Sequence, residues 1–280
     1  MTGVKKRWRI IIAGLVLAAL AVLTWVVFNP SESEPQYEGK PLSFWLAEAV
    51  IPHEEDYGTW RVGSRKAEAA MEHFGTNAVP TLLQMLRARD STLKLKLIAI
   101  GRKFGLHREL YRNAEIRNHA AAEAFRQLQS SARFYVPDLV KIYEEKISSL
   151  SQLSALKALD YIGPRADGGA ATPALIDGLA NTNNFVRAET VQTLGYIWAP
   201  SKLAVPALAK CLSDSYVQVR LNAAHVLGGY RARAEAALPA LINALNDADP
   251  DVRTEAEQAI IKIDAETYEG LIKQGKIQPK

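Results

Sequence analysis

Pro173-Ala174-Leu175…Leu179…Asn181…Val186-Arg187…Leu194-Gly195 is followed by Pro206-Ala207-Leu208…Leu212…Asp214…Val219-Arg220…Leu227-Gly228, and then by Pro239-Ala240-Leu241…Leu245…Asp247…Val252-Arg253…Ile260. The prolines step by 33 residues and the arginines keep the same step. Self-similarity at this period, with apolar residues at helical spacing, marks a stack of short helix pairs. Leu175 and Leu179, Leu208 and Leu212, and Leu241 and Leu245 recur at i, i+4 and paint one apolar stripe on a first helix. Proline in its first turn removes an N–H that has no partner there.

Polar turns follow at 181–184, 213–215 and 247–251, and Asp249-Pro250 is the clearest helix-capping pair among them. The second helix of one copy then places Val186, Thr190, Val191, Leu194 and Ile197 on its buried side; the next copy places Val219, Ala223, Ala224, Leu227 and Tyr230 there. A single pair cannot hide both stripes, so pairs must pile up. The expected fold is all-α, about five helix pairs plus an extra helix. The step from Pro80 to Pro137 is 57 rather than 33, which places the extra helix at Arg117–Phe125. Pro80 to Lys94 repeats the proline-to-arginine offset of fourteen.

Proline, an acidic or amide residue, and Val-Arg six positions after that residue resemble the HEAT-repeat family, more narrowly the HEAT-like repeats of the phycobilisome-lyase type. The likeness is clearest over residues 134–262. It implies a right-handed α-α superhelix whose second helices line a concave inner face. It also implies that Asn181, Arg187, Asp214, Arg220, Asp247 and Arg253 form a structural ladder along the turns. Tyr37-x-Gly39-Lys40-x-Leu42-x-x-Trp45-Leu46 is similar to the lead-in of envelope-associated bacterial HEAT proteins.

The 280 residues are 48% apolar, enough for a sizeable core. Lys5, Lys6, Arg7 and Arg9 precede Ile10–Phe28, a run without a charge. As a helix this run spans about 28 Å, near the thickness of a bilayer's hydrocarbon. Trp8 and Trp25 suit the two interfaces, and the basic residues before the run put the N-terminus in the cytoplasm. The sequence thus divides into a basic tail at 1–9, an anchor helix at 10–28, a linker at 29–40 and a solenoid at 41–280, with a capping helix at 265–274. The alternative is a cleavable signal peptide, although no small-x-small site follows Phe28. The expected location is a bacterial inner membrane, crossed once, with the solenoid on the periplasmic side. Phe44, Trp45 and Leu46 are expected to close the open apolar end of the stack.

Without the basic tail the charges balance at 30 basic and 30 acidic, so nucleic acid is not the expected partner. His53-Glu54-Glu55-Asp56 lacks the second histidine one turn away that a zinc helix needs. Cys211 stands beside Leu212 in a small-residue column and reads as core. Glycine-rich phosphate loops, nucleophile elbows and Cys/His metal spacings do not occur, so no cofactor, metal or small-molecule substrate is expected. What remains is surface. The non-core stripe of the second helices holds Lys157, Tyr161, Tyr196, Asn222 and His225, with Lys96, Lys103, His119 and Arg126 in the earlier units. Residues 61–117 carry twelve basic against five acidic side chains, a local excess that suits an acidic protein segment or is simply solvated. These features point to a membrane-tethered, non-catalytic scaffold that binds a protein on its concave face. An enzyme or enzyme accessory of the lyase type is the alternative that the repeat resemblance suggests.

Overall fold

The structure, a computed structural model, describes residues 34–51, 61–62, 65–92, 94–96, 99, 113–164 and 169–275. The proposed anchor at 10–28, the 53–56 cluster and Lys103 lie outside them. No helix among the described residues is long and apolar enough to cross a membrane.

The chain enters through two small antiparallel ladders, β1 (Gln36–Tyr37) with β2 (Lys40–Pro41) and β3 (Val50–Ile51) with β4 (Arg61–Val62), which flank α1 (Leu42–Ala49). These strands depart from the all-α expectation. Glu38 and Gly39 both adopt positive φ, 49° and 71°, and reverse the chain in two residues. Helical periodicity carries no sign of such a turn. Leu42, Trp45 and Leu46 are buried as α1 packs on α2 (Arg65–Phe74) and on α4, the helix at Ala114–Leu128. Trp45 Nε1 donates to Tyr37 O at 3.0 Å, which ties the first ladder to the helix.

Five helix pairs follow among the described residues: α3 (Val79–Leu86) with α4, α5 (Val136–Glu144) with α6 (Ser149–Ile162), α7 (Thr172–Gly178) with α8 (Asn184–Tyr196), α9 (Ser201–Cys211) with α10 (Val217–Tyr230), and α11 (Leu238–Ala244) with α12 (Pro250–Ile263). Second helices stack on second helices in order, α4 on α6, α6 on α8, α8 on α10, and α10 on α12. Leu175, Leu208 and Leu241 are each fully buried. Burying such a side chain is worth about 2 kcal/mol, so the equivalent position in each copy supplies a comparable increment. The last helix, α13 (Ala265–Lys273), covers α12 through Leu271.

Two expectations need correction. Arg117–Phe125 is not an extra helix: it belongs to α4, the second helix of the first pair, and packs against both α3 and α6. Asn118 Nδ2 donates to Met85 O at 2.6 Å and to Ala88 O at 3.3 Å, closing the end of α3. The insertion is therefore the stretch 87–113 between the partners. Asp90, its side chain only 4% exposed, fastens both ends by accepting from Lys94 Nζ, Ala114 N and Arg117 Nη2. Hence Arg117 follows Ile116 as Arg187 follows Val186, and the fourteen-residue offset to Lys94 is coincidental. The second correction concerns Pro206, which lies inside α9 rather than in its first turn. Pairs one, two and five reach their first helix through 3-10 turns at Gly75–Ala78, Gln129–Tyr135 and Arg231–Ala237. In pair four, Ser201–Val205 are already α-helical.

Candidate functional site

Along the turns, arginine joins neighbouring pairs. Arg187 donates through Nε and Nη2 to Asp214 at 2.9 and 2.7 Å, and through Nη1 to its own unit's Asn181 O at 2.9 Å. One unit on, Arg220 binds Asp247 at 2.7 and 2.9 Å and Asp214 O at 2.9 Å. Arg253, the last, holds the Asp247 and Ala248 carbonyls. Burial alone would raise the Asp214 carboxyl, but Arg187, the Tyr216 N–H and the Arg220 charge bring it below the usual range. For Asp247 the Arg220 hydrogen bonds are the leading cause of a lowered pKa. Asn181 is an amide and receives no guanidinium from the unit before it. Gln152 stands in the arginine column there and its Oε1 accepts from Asn181 Nδ2 at 3.3 Å, while Ser151, in the column of Val186, donates back to Leu86 O at 2.6 Å. At the first junction the bridging arginine is Arg87, off the column at the end of α3, bound to Glu145 at 2.9 and 3.2 Å.

The second-helix face carries two constellations. The first centres on Glu123, which sequence reasoning missed because it sits among apolar residues of α4. It is 9% exposed, accepts from Tyr161 Oη at 2.7 Å, and faces Arg126 at 3.3 Å and Lys157 at 3.6 Å. Four of the predicted residues, His119, Arg126, Lys157 and Tyr161, are thereby gathered around one carboxylate. Burial lowers the His119 imidazole to about 4, against the pull of Glu123 and with that of Lys157. Beside them burial pushes Asp160 up to about 8, with Thr193 lowering it and Glu189 raising it.

The second is a groove of about 620 Å³ where α8, α10 and α12 meet. Tyr196 and Trp198 wall it, exposed by 57% and 46%. Leu221, Val226 and Tyr230 line it from α10, and Gly229 leaves an opening, since a Cβ there meets nothing within 4 Å. His225 Nδ1 lies 2.9 Å from Glu255 Oε1 at its polar end, with the imidazole side chain 71% exposed. The apolar walls with few polar groups are the usual make-up of a binding cleft.

Close approach of the helices creates this shape. A Cβ on Gly195 would lie 2.9 Å from Val226 Cγ2, and one on Gly228 would lie 3.1 Å from Ala259 Cα. Gln129, Gly163, Trp198 and Arg231, at the ends of α4, α6, α8 and α10, all have positive φ. Three of these four are not glycine, and a bulky residue in that conformation is unusual. Trp198, at φ 54°, is held there with its ring over the groove and Arg233 5.4 Å from the ring centre.

Residues 205–272 match the family model of HEAT repeats. That match spans α10 to α12 and reaches into the helices on either side of them. No curated protein matches the chain. Among solved structures it is similar to an engineered protein at 21% identity, over 72% of this chain and 98% of that one, with a TM-score of 0.46. A designed armadillo repeat protein in complex with the peptide (KR)4 is 18% identical over 78% and 98% of the two chains, with a TM-score of 0.45. The structure of the Pds5-Scc1 complex is 15% identical over 87% of this chain and 39% of that one, with a TM-score of 0.47.

Tyr196 and His225 lie together in the groove, whereas Asn222 is 6% exposed. Asn222 Nδ2 donates to Ala188 O at 3.0 Å and its Oδ1 accepts from Gln218, so its role is to join α8 and α10 rather than to present an open amide. Lys96 is exposed and lies in the insertion. Cys211 is buried and burial pushes its thiol up to about 11, away from nucleophilic chemistry. Trp198 escaped notice because its role depends on which helix ends meet. Among the described residues no group of His, Cys, Asp and Glu is arranged to hold a metal.

Proposed function

We propose that this chain is a non-catalytic scaffold of HEAT repeats that holds a protein partner along the face of its second helices. The observation that carries the reading is the groove walled by Tyr196 and Trp198. Two large aromatic side chains stand open to solvent on ordered helix ends, one of them on strained backbone. Aromatic residues offer wide contact area at small entropic cost, as recognition surfaces need. The Glu123 network extends the same face toward the N-terminal pairs with fixed charges.

The residues 10–28 support a further part of the reading, a single-pass tether that leaves the repeats outside a bacterial inner membrane. Their length, lack of charge and basic flank are what such an anchor needs. A photo-crosslinking amino acid at position 196 in the full chain, expressed in its native membrane, tests the scaffold. A discrete protein adduct that disappears with Gly229→Trp is the expected result. No adduct at 196 alongside a strong one on the opposite, first-helix face would refute it. For the tether, C-terminal reporter fusions are expected to be active only outside the cytoplasm.

A further inference from the structure

The charge of the groove points to the chemistry of its occupant. Its lining contains Glu255 and neither lysine nor arginine. The other polar groups are largely committed or are acceptors. Asn222 has spent both ends of its amide on Ala188 and Gln218. When the neutral His225 keeps its proton on Nδ1 toward Glu255, Nε2 is left as an acceptor. Glu255 itself has a second oxygen and a side chain 24% exposed. The guanidinium nearest the walls, Arg233, is already seated over the rings of Trp198 and Tyr230 at 5.4 and 5.9 Å. What is left to meet a partner is a set of aromatic and aliphatic surfaces, the neutral Gln192 amide and Tyr196 hydroxyl, which accept as well as donate, and one carboxylate at the end.

We infer that the groove takes an extended peptide segment presenting a lysine or arginine, its aliphatic stem against Tyr196 and Leu221 and its charge at Glu255. This inference rests on the scaffold reading above. A cationic head also finds the open face of Tyr196, and a ring face attracts a cation in its own right. An acidic segment would bring a second carboxylate to Glu255 with no cation among the lining residues to receive it. Long basic side chains suit such a place because their stems cover apolar surface while the head stays polar.

The test uses the full-length chain in detergent micelles and three fluorescein-labelled hexapeptides, (Leu-Lys)3, (Leu-Ser)3 and (Leu-Glu)3, followed by fluorescence anisotropy. The lysine peptide is expected to bind about tenfold more tightly than the serine peptide and the glutamate peptide least. Tyr196→Ala and Glu255→Gln are each expected to weaken the lysine peptide about fivefold, with Glu255→Gln narrowing the difference between the lysine and serine peptides. Equal binding of the three peptides, or no effect of Glu255→Gln, overturns the inference about charge. If Gly229→Trp still abolishes binding in that case, the groove stands as the site and only its chemistry is wrong. Binding that survives Gly229→Trp, or no binding of any peptide, rejects the groove itself. Thermal unfolding of each variant, with Gly229→Gln as a milder obstruction, separates blocked binding from lost fold.

Discussion

Arg187 and Asp214 are joined by two parallel hydrogen bonds, Nε to Oδ2 at 2.9 Å and Nη2 to Oδ1 at 2.7 Å, across 27 residues of chain. The side chains are 12% and 15% exposed, so the pair is neither a solvated surface contact nor a fully desolvated one. Because Arg187 also holds the Asn181 carbonyl, one side chain fastens a turn to itself and to the next pair.

Replacing Arg220 or Arg187 by alanine is therefore expected to destabilise the repeats by about 2–3 kcal/mol, since a carboxylate and a backbone carbonyl both lose a charged donor. Lysine should recover little, because a point charge cannot make the paired bonds. A double-mutant cycle on Arg187→Ala and Asp214→Asn in urea unfolding measures the coupling, and a value near zero would show that the turns hold without it. The lowered carboxyls of Asp214 and Asp247 add a pH signature. Their contribution is present above the unfolded carboxyl value near 4 and is lost as pH falls through their folded values, so Asp214→Asn should flatten the acid limb.

Asp160 gives the opposite slope. Its carboxyl rises to about 8 in the fold, mainly through burial. The folded chain therefore holds a proton that the unfolded chain releases near pH 4, and stability from this group is lost as pH rises from about 4 to about 8. Asp160→Asn is expected to remove a decline of up to about 1.4 kcal/mol per pH unit across that window. Parallel pH profiles of wild type and variant over pH 5–9 would contradict the account.

Gly228 and Gly229 are neighbours with different surroundings. A Cβ on Gly229 meets nothing, while one on Gly228 lies 3.1 Å from Ala259 Cα. Alanine in a helix interior gains about 1 kcal/mol over glycine when nothing obstructs it. Gly229→Ala should thus be more stable than wild type, and less stable in no assay than Gly228→Ala, whose gain is offset by pushing α10 from α12. Equal melting temperatures for the two variants would mean that the helices are not in close contact here.

Trp198→Gly is expected to stabilise the protein by about 1 kcal/mol, because glycine adopts the left-handed turn without strain. The same change strips one wall from the groove and should weaken binding of the lysine hexapeptide. Stability and affinity moving together would remove the case for a strained recognition residue. Trp198→Ala serves as the comparison, since it loses the ring and keeps the strain.

The repeat period, the apolar stripes and the Val-Arg columns were readable from the residues alone, because a pattern that recurs every 33 positions imposes the same local structure each time. The break in that pattern shows in the 57-residue step from Pro80 to Pro137, but its place does not. Fourteen residues from Pro80 lead to Lys94, and nothing in the local spacing says that the second helix of this pair begins only at Ala114, with Arg117 in its first turn. Asp90 decides it, by accepting from Ala114 N twenty-four residues away. The candidate site divides in the same manner. Tyr196 and His225 follow from helical register, since every third or fourth residue shares a face. Whether such a residue is open or buried depends on its neighbours across the interface, and so Asn222, on the same helix face, is enclosed between α8 and α10. Glu123, Trp198 and Glu255 acquire their roles through contacts with other helices or through a turn's φ, which sequence periodicity does not encode. Local pattern thus settled which segments are helices and which sides are oily. The packing of one helix on another alone determined which polar groups meet and where a hollow is left.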